Sequence, residues 1–272
     1  MSITRTKAPF RADHVGSLLR PENLHQARKA FKEGHMTAER LREVETKEIR
    51  RIVDKQIALG LEAVTDGEFR RTWFHLDFLE HLNGIEGYVP DQGYQFAGGV
   101  ETERYNVKNT GRISFNPDHP FIKDFIEFND IVDGRATAKL TIPSPNQLFY
   151  AGMRDKAIYP DIEDYAADIV QAYRQTIIAL YEAGLRYLQL DDVYIAGLAA
   201  SRTALTEAEY PKDYFIDLAV RVVNAVLEGK PEDLVVTTHL CRGNYRSTWA
   251  FEGGYDVIAP ALFAKENVVG FF

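Results

Sequence analysis

The sequence switches repeatedly from a helical to an extended hydrophobic period, with a glycine at each switch. From Thr37 to Leu59 the spacing predicts a helix, Gly60 stops it, and Leu61-Glu-Ala-Val-Thr-Asp66 reads as a strand. The unit returns where Asp161-Ile-Glu-Asp caps a helix with apolar positions at Ile169, Ala172, Tyr173, Ile177, Leu180 and Tyr181. Gly184 ends that helix, and Arg186-Tyr-Leu-Gln-Leu-Asp-Asp192 follows. It returns again from Pro211 through Leu218, Val222, Val223 and Val226 to Gly229, leading into Leu234-Val-Val-Thr-Thr-His239. Helices alternating with short apolar strands that end in polar or charged residues are the sequence form of βα units around a parallel sheet.

That pattern predicts an α/β fold, with a (β/α)8 TIM-type barrel as the leading architecture and an open doubly wound sheet second. No Gly-x-Gly-x-x-Gly follows the first strand and no Gly-x-x-x-x-Gly-Lys occurs, which removes the usual phosphate cradles of the open sheet. Candidate barrel strands are Ala12 to Ser17, Leu61 to Asp66, Ala136 to Ile142, Tyr187 to Asp191, Leu234 to His239 and Val268 to Phe272. Six strands make the barrel incomplete, and the last would leave an apolar edge unpaired, so a chain longer by roughly a hundred residues is expected from a barrel of about 250 residues plus an insertion. Residues 70–135 carry Gly84, Gly87, Pro90, Gly93, Gly98, Gly99, Gly111 and Pro117 among aromatics. They are expected to form an inserted meander over the barrel mouth, between strands two and three, within one catalytic-barrel domain over residues 1–272.

Charge and composition narrow the partners. The net charge of -8 is spread along the chain without a concentrated basic face, so nucleic acid is not an expected partner. The first residues carry Arg5, Lys7, Arg11, Asp13 and Arg20 rather than an apolar signal core, and no apolar run reaches about 18 residues. A soluble cytoplasmic protein with no membrane contact is the expectation. The single cysteine, Cys241, excludes an intramolecular disulfide and a four-cysteine zinc site.

In a parallel barrel the chemistry lies at the carboxyl ends of the strands. Here those ends hold Asp13, His14 and Ser17, then Asp66 and Glu68, then Asp191 and Asp192, then His239 and Cys241. His239 and Cys241 are two apart on an extended segment and face one way, so an imidazole and a thiolate can approach one metal ion, a pair that selects zinc over magnesium. The competing reading makes His239 a hydrogen-bonded strand histidine and Cys241 a small buried hydrophobe. Asp191-Asp192 serve as acid and base, as magnesium ligands, as a holder of a substrate ammonium group, or as a turn in which one Asp caps a helix. Thr65-Asp66-Gly67-Glu68 is either a turn or a close approach to a ligand. Trp73, Phe74, Phe78, Phe149 and Tyr150 either stack on a flat ligand or pack in the core.

Taken in order, His14-Val-Gly-Ser-Leu-Leu-Arg-Pro, Thr65-Asp-Gly-Glu, Leu190-Asp-Asp and Thr238-His-Leu-Cys-Arg-Gly-Asn resemble the catalytic barrel of the cobalamin-independent methionine synthase family, above all its short single-barrel bacterial relatives. The resemblance implies a zinc-dependent methyltransferase that converts a thiol such as homocysteine to methionine, with a methyltetrahydrofolate-like donor. By that resemblance His239 and Cys241 are zinc ligands, Asp191 holds the amino group of homocysteine, and Ser17 and Glu68 line the amino-acid pocket. Phe149 falls near the aromatic that larger members place against the folate ring. The family completes its zinc site with a Glu and a second Cys from later strands, and neither matches a residue of this sequence. The partners are then a small-molecule thiol and a methyl donor, for which a methylcobalamin carrier is a further candidate. A metal-dependent hydrolase or lyase using Asp66, Glu68, Asp191 and Asp192, and an inactive small-molecule binding module, are the alternatives.

Overall fold

In the computed structural model, residues 6–200 and 205–272 are described. The helices are α1 (Glu22–Lys32), α2 (Ala38–Ala58), α3 (Leu76–Leu79), α4 (Pro120–Val132), α5 (Ile162–Glu182), α6 (Tyr194–Ala199), α7 (Lys212–Leu227) and α8 (Ala259–Lys265). The strands are β1 (Ala63–Val64), β2 (Asn83–Tyr88), β3 (Gln95–Phe96), β4 (Val100–Glu101), β5 (Asn106–Ser114), β6 (Thr137–Pro143), β7 (Tyr187–Asp192), β8 (Val235–Leu240), β9 (Asn244–Tyr245) and β10 (Thr248–Trp249). Helix starts follow local chemistry: the Thr37 hydroxyl accepts from the Arg40 N–H to open α2, and the Asp161 carboxylate accepts from the Glu163 N–H to open α5. Gly184, at φ 105°, ends the run after α5 and lets the chain turn into β7.

The central element is a four-stranded sheet in the order β1-β6-β7-β8, and its ladders are parallel. Its register lines side chains into rows. Lys139 pairs with Tyr187 and Tyr187 with Val235; Thr141, Gln189 and Thr237 form the next row; Pro143, Asp191 and His239 form the last. The alternate residues Ala138, Leu140, Ile142, Leu188, Leu190 and Val236 are buried in one apolar cluster with Phe125 and Phe128 of α4, Ile169 and Tyr173 of α5, and Leu218 and Val222 of α7. One face of the sheet is thus the apolar floor for the helices, and the other carries polar side chains toward the strand ends.

Two expected strands differ. Ala12 to Ser17 forms no ladder, because its backbone acceptors are taken by side chains of the polar face: Lys139 Nζ donates to the His14 carbonyl at 2.7 Å and Gln189 Nε2 to the Val15 carbonyl at 2.6 Å. The Tyr187 hydroxyl fixes the same segment by donating to Asp13 Oδ2 at 2.6 Å. Val268 to Phe272 is not left unpaired along both sides. Thr238 N–H donates to Gly270 O, Leu240 N–H to Phe272 O and Phe272 N–H to Thr238 O, so the segment runs parallel beside β8.

The expected meander is also shorter than 70–135. The irregular stretch holds α3, the antiparallel pair β2 and β5, and the small hairpin of β3 and β4. From Pro120 the chain is helical again: Phe121, Phe125, Phe128, Ile131 and Val132 bury one stripe of α4, and the His119 ring opens it by accepting from the Phe121 N–H. Those aromatics are core, not loop. The β3–β4 hairpin touches the chain after β8, where Thr248 Oγ1 donates to the Ala97 carbonyl at 2.8 Å and the Phe96 and Tyr245 rings lie 5.3 Å apart. Among the described residues no helix is long and apolar enough to cross a membrane.

Candidate functional site

The parallel register makes Asp191 and His239 direct neighbours across β7 and β8, at the carboxyl ends of both strands. Cys241 follows two residues on, and its N–H donates to the Asp192 carbonyl at 3.3 Å, which ties the start of the next loop to the end of β7. Gln189, one step down the same face, donates from Nε2 to Asp191 Oδ1 at 2.6 Å. Burial first, and the Glu68 carboxylate second, push the Asp191 carboxyl up to about 8, against Gln189, Arg71 and Lys139.

Asp192 has a different task. Its Oδ2 accepts from Asn146 Nδ2 at 2.7 Å and its Oδ1 from the Ile195 N–H at 2.9 Å, so it opens α6 and buttresses the loop after β6. It precedes the first turn of α6, whose Ile195 N–H it accepts, and is fully buried rather than solvated. Asp66 likewise spends Oδ1 on the Glu68 N–H at 2.9 Å. Two of the four carboxylates of the hydrolase alternative, Asp66 and Asp192, are thus engaged with backbone N–H groups, and among the described residues no three His, Cys, Asp or Glu side chains are grouped to hold a metal ion.

Glu68 is buried, with its backbone in the left-handed region at φ 58°. Its Oε1 accepts from Thr141 Oγ1 at 3.4 Å, which brings the carboxylate to the polar face in the row below Asp191. Ser17 is exposed beside this turn, since the Leu18 N–H donates to the Gly67 carbonyl at 3.1 Å.

His239 is half buried, and its Nδ1 is buried with no hydrogen-bond partner. Burial, then the Lys139 ammonium, hold the imidazole below its usual range, against a hydrogen bond with the Phe272 backbone, and the neutral imidazole is the form that binds a metal. Cys241 is partly buried and packs against a small cluster around Val193 and Phe251 that also includes Phe74 and Tyr150. An unpartnered imidazole nitrogen and a thiol two residues on suit zinc in kind. They are two donors where protein zinc sites supply at least three, and the described residues bring no third.

Phe149 is not at this site: its ring is buried edge-on against Tyr165, 5.7 Å between centroids. The next residue, Tyr150, is the one that reaches the Cys241 cluster. Phe78 is core, whereas Trp73, Phe74, His75 and Tyr94 pack ring against ring after the Glu68 turn. A separate cavity of about 190 Å³ lies behind that turn, lined by Asp66, Arg70, Arg71, Asp77 and Phe121. Its charged groups are already engaged, Asp77 with the Thr72 and Trp73 N–H groups and Arg71 with Thr141. Gln189 and Lys139 were not singled out by the motifs; the period-2 alternation that puts them on the Asp191 and Thr141 faces was the available signal.

No protein-family model matches the chain. Two Bacillus subtilis proteins of uncharacterized function, YxjH and YxjG, are each 46% identical, over 98% and 100% of this chain and 70% and 72% of their own lengths. A methionine synthase of Saccharolobus solfataricus is 25% identical over 85% of this chain, which spans 62% of that protein. A Listeria monocytogenes crystal structure, provisionally described as a vitamin-B12 independent methionine synthase, superposes with a TM-score of 0.80 at 40% identity, covering 98% of this chain and 73% of that one. A B12-independent methionine synthase from Shewanella, solved with selenomethionine, shares the fold at a TM-score of 0.56 and 18% identity, over 77% of this chain and 55% of that one. With its ordered motifs on this parallel α/β scaffold, the chain belongs to the cobalamin-independent methionine synthase-like family, in its short form.

Proposed function

We propose that this protein is a zinc-dependent methyltransferase of the cytoplasm acting on a thiol amino acid such as homocysteine, with this chain supplying part of a catalytic (β/α)8 barrel. The observation that supports the reading is the cross-strand pairing of Asp191 with His239, two residues before the Cys241 thiol. Asp191 binds the substrate amino group. In the free protein at neutral pH its carboxyl is largely protonated, and the arriving ammonium displaces that proton and forms a charge-assisted pair. Glu68 adds negative charge to the same pocket, and Ser17, at its rim, offers a hydroxyl to the substrate carboxylate.

His239 and Cys241 would hold zinc, whose contribution when bound is to keep the substrate sulfur as a thiolate near neutral pH. Position then does the remaining work: with the amino group fixed by Asp191, the sulfur is aimed at a donor methyl, and no general-base triad is needed. The donor is methyltetrahydrofolate-like, with a methylcobalamin carrier as the variant. The apolar cluster around Cys241 favours one other reading, a zinc-free binding module. Incubation with zinc, L-homocysteine and each methyl-labelled donor in turn decides between them. Labelled L-methionine, lost in Cys241→Ser, is expected; L-homocysteine binding without zinc and without turnover would establish the binding module.

A further inference from the structure

We propose that Arg20 and Arg28 are positioning residues for the amino-acid pocket: together they grip the backbone of residues 68–71 and hold Glu68 in the left-handed conformation from which its carboxylate reaches Thr141. The inference rests on the reading of Glu68 as a pocket residue. Glu68, Asp133, Arg246 and Ser247 are the non-glycine residues with positive φ among those described. Asp133 ends α4, and Arg246 and Ser247 form the turn between β9 and β10, where that backbone state is ordinary. Glu68 instead sits buried behind a ladder of only two residues, so the sheet does not fix it. A bulky side chain keeps such a conformation only when its surroundings impose it.

The imposing groups come from the amino-terminal segment. Arg20 Nη2 donates to the carbonyls of Glu68 at 2.8 Å and Arg71 at 2.9 Å. Arg28 Nη1 donates to the Arg71 carbonyl at 2.8 Å, and its Nη2 donates to the Phe69 carbonyl. From the inner side, Asp66 Oδ1 accepts the Glu68 N–H and Thr65 Oγ1 the Gly67 N–H. Glu45 anchors Arg28 at 3.4 Å. A planar, permanently charged fork suits several converging carbonyls; an ammonium on a flexible stem does not. Arg20 lies three residues after Ser17, so one loop ties the two pocket contacts together.

The test uses hydrogen exchange at amides 67–71 and calorimetric titration of L-homocysteine, on the wild type, Arg20→Met, Glu68→Gln and the double variant. Arg20→Met is expected to speed exchange in the turn by about tenfold or more and to weaken L-homocysteine binding by roughly tenfold. Glu68→Gln is expected to weaken binding comparably, and the double variant to bind within about threefold of Glu68→Gln alone, because Arg20 acts through Glu68. Arg28→Lys, which retains charge without the fork, is expected to repeat the pattern at smaller size and carries the test if Arg20→Met does not fold. Unchanged exchange in both arginine variants overturns the clamp. Faster exchange with wild-type affinity in Arg20→Met, or additive losses in the double variant, overturns the positioning role. Faster exchange in Arg20→Met together with equal binding by wild type and Glu68→Gln overturns instead the assignment of Glu68 to the pocket.

Discussion

The two sides of the candidate site are built by different means. On the β7–β8 side, six-residue strands in continuous parallel register place Asp191 and His239, and the backbone would hold those positions whatever side chains stood there. On the β1 side the ladder is two residues long, and Glu68 is placed by side chains bonding to backbone, from Asp66 within the turn and from the arginines outside it. A ladder-placed residue can therefore be exchanged for its chemistry alone. A clamp-placed residue is sensitive to changes at positions that touch no substrate.

Cys241→Ser should give the largest effect and the sharpest use of that contrast. A neutral hydroxyl is a far poorer zinc ligand than a thiolate, so zinc affinity should fall by about a hundredfold or more while circular dichroism shows the helices unchanged. Metal content equal to that of the wild type after dialysis would return Cys241 to the apolar cluster around Val193 and Phe251. The next effect is on pH. With the Asp191 carboxyl raised to about 8, the form that binds ammonium grows as pH rises, so L-homocysteine affinity should fall about tenfold per pH unit below that midpoint. Because Glu68 is the second cause of the shift, Glu68→Gln should lower the midpoint, coupling the two sides. A midpoint that stays put would separate them.

The smallest effect belongs to the reverse face of β8. Thr238 Oγ1 bonds one oxygen of the buried Glu266 carboxyl, whose other oxygen has no partner, and burial raises this group to about 7. Its folded value lies above the ordinary 4.5, so the stability it contributes is complete below pH 4.5 and lost as pH rises through 7. Glu266→Gln should melt a few degrees higher than wild type at pH 8, of order 1 kcal/mol, with no gain at pH 4 and zinc affinity unchanged. A weakened zinc site in that variant would show that the two faces of β8 are not independent.

Local chemistry was legible in the residues. Thr37, Asp161 and Gly184 set helix limits through bonds within a few positions, and β6, β7 and β8 begin and end within about two residues of the apolar runs. What was not legible depends on distant partners. The segment Ala12 to Ser17 looks like a strand until Lys139 and Gln189, 125 and 174 positions away from the carbonyls they bond, take those acceptors. In the candidate site, the strand-end rule singled out Asp191, His239 and Cys241, but the pairing of Asp191 with His239 is a property of register. Phe149 was offered by the resemblance alone, and the 3-10 turn Pro145–Phe149 leaves its ring buried against Tyr165 while Tyr150 packs against the same cluster as Cys241. Glu266 and the arginine clamp leave no periodic trace, since each works through single contacts across the fold.

The most direct test of the pocket is calorimetric titration of Asp191→Asn with L-homocysteine and, separately, with zinc, each in two buffers of different ionisation enthalpy at pH 7. Loss of the carboxylate should weaken L-homocysteine binding to the zinc-free protein by about tenfold to a hundredfold and abolish the proton release expected of the wild type, while zinc affinity stays within about twofold. Equal loss of both ligands, or proton release on L-homocysteine binding to the zinc-free protein that survives the substitution, would contradict the assignment of Asp191 to the substrate ammonium group.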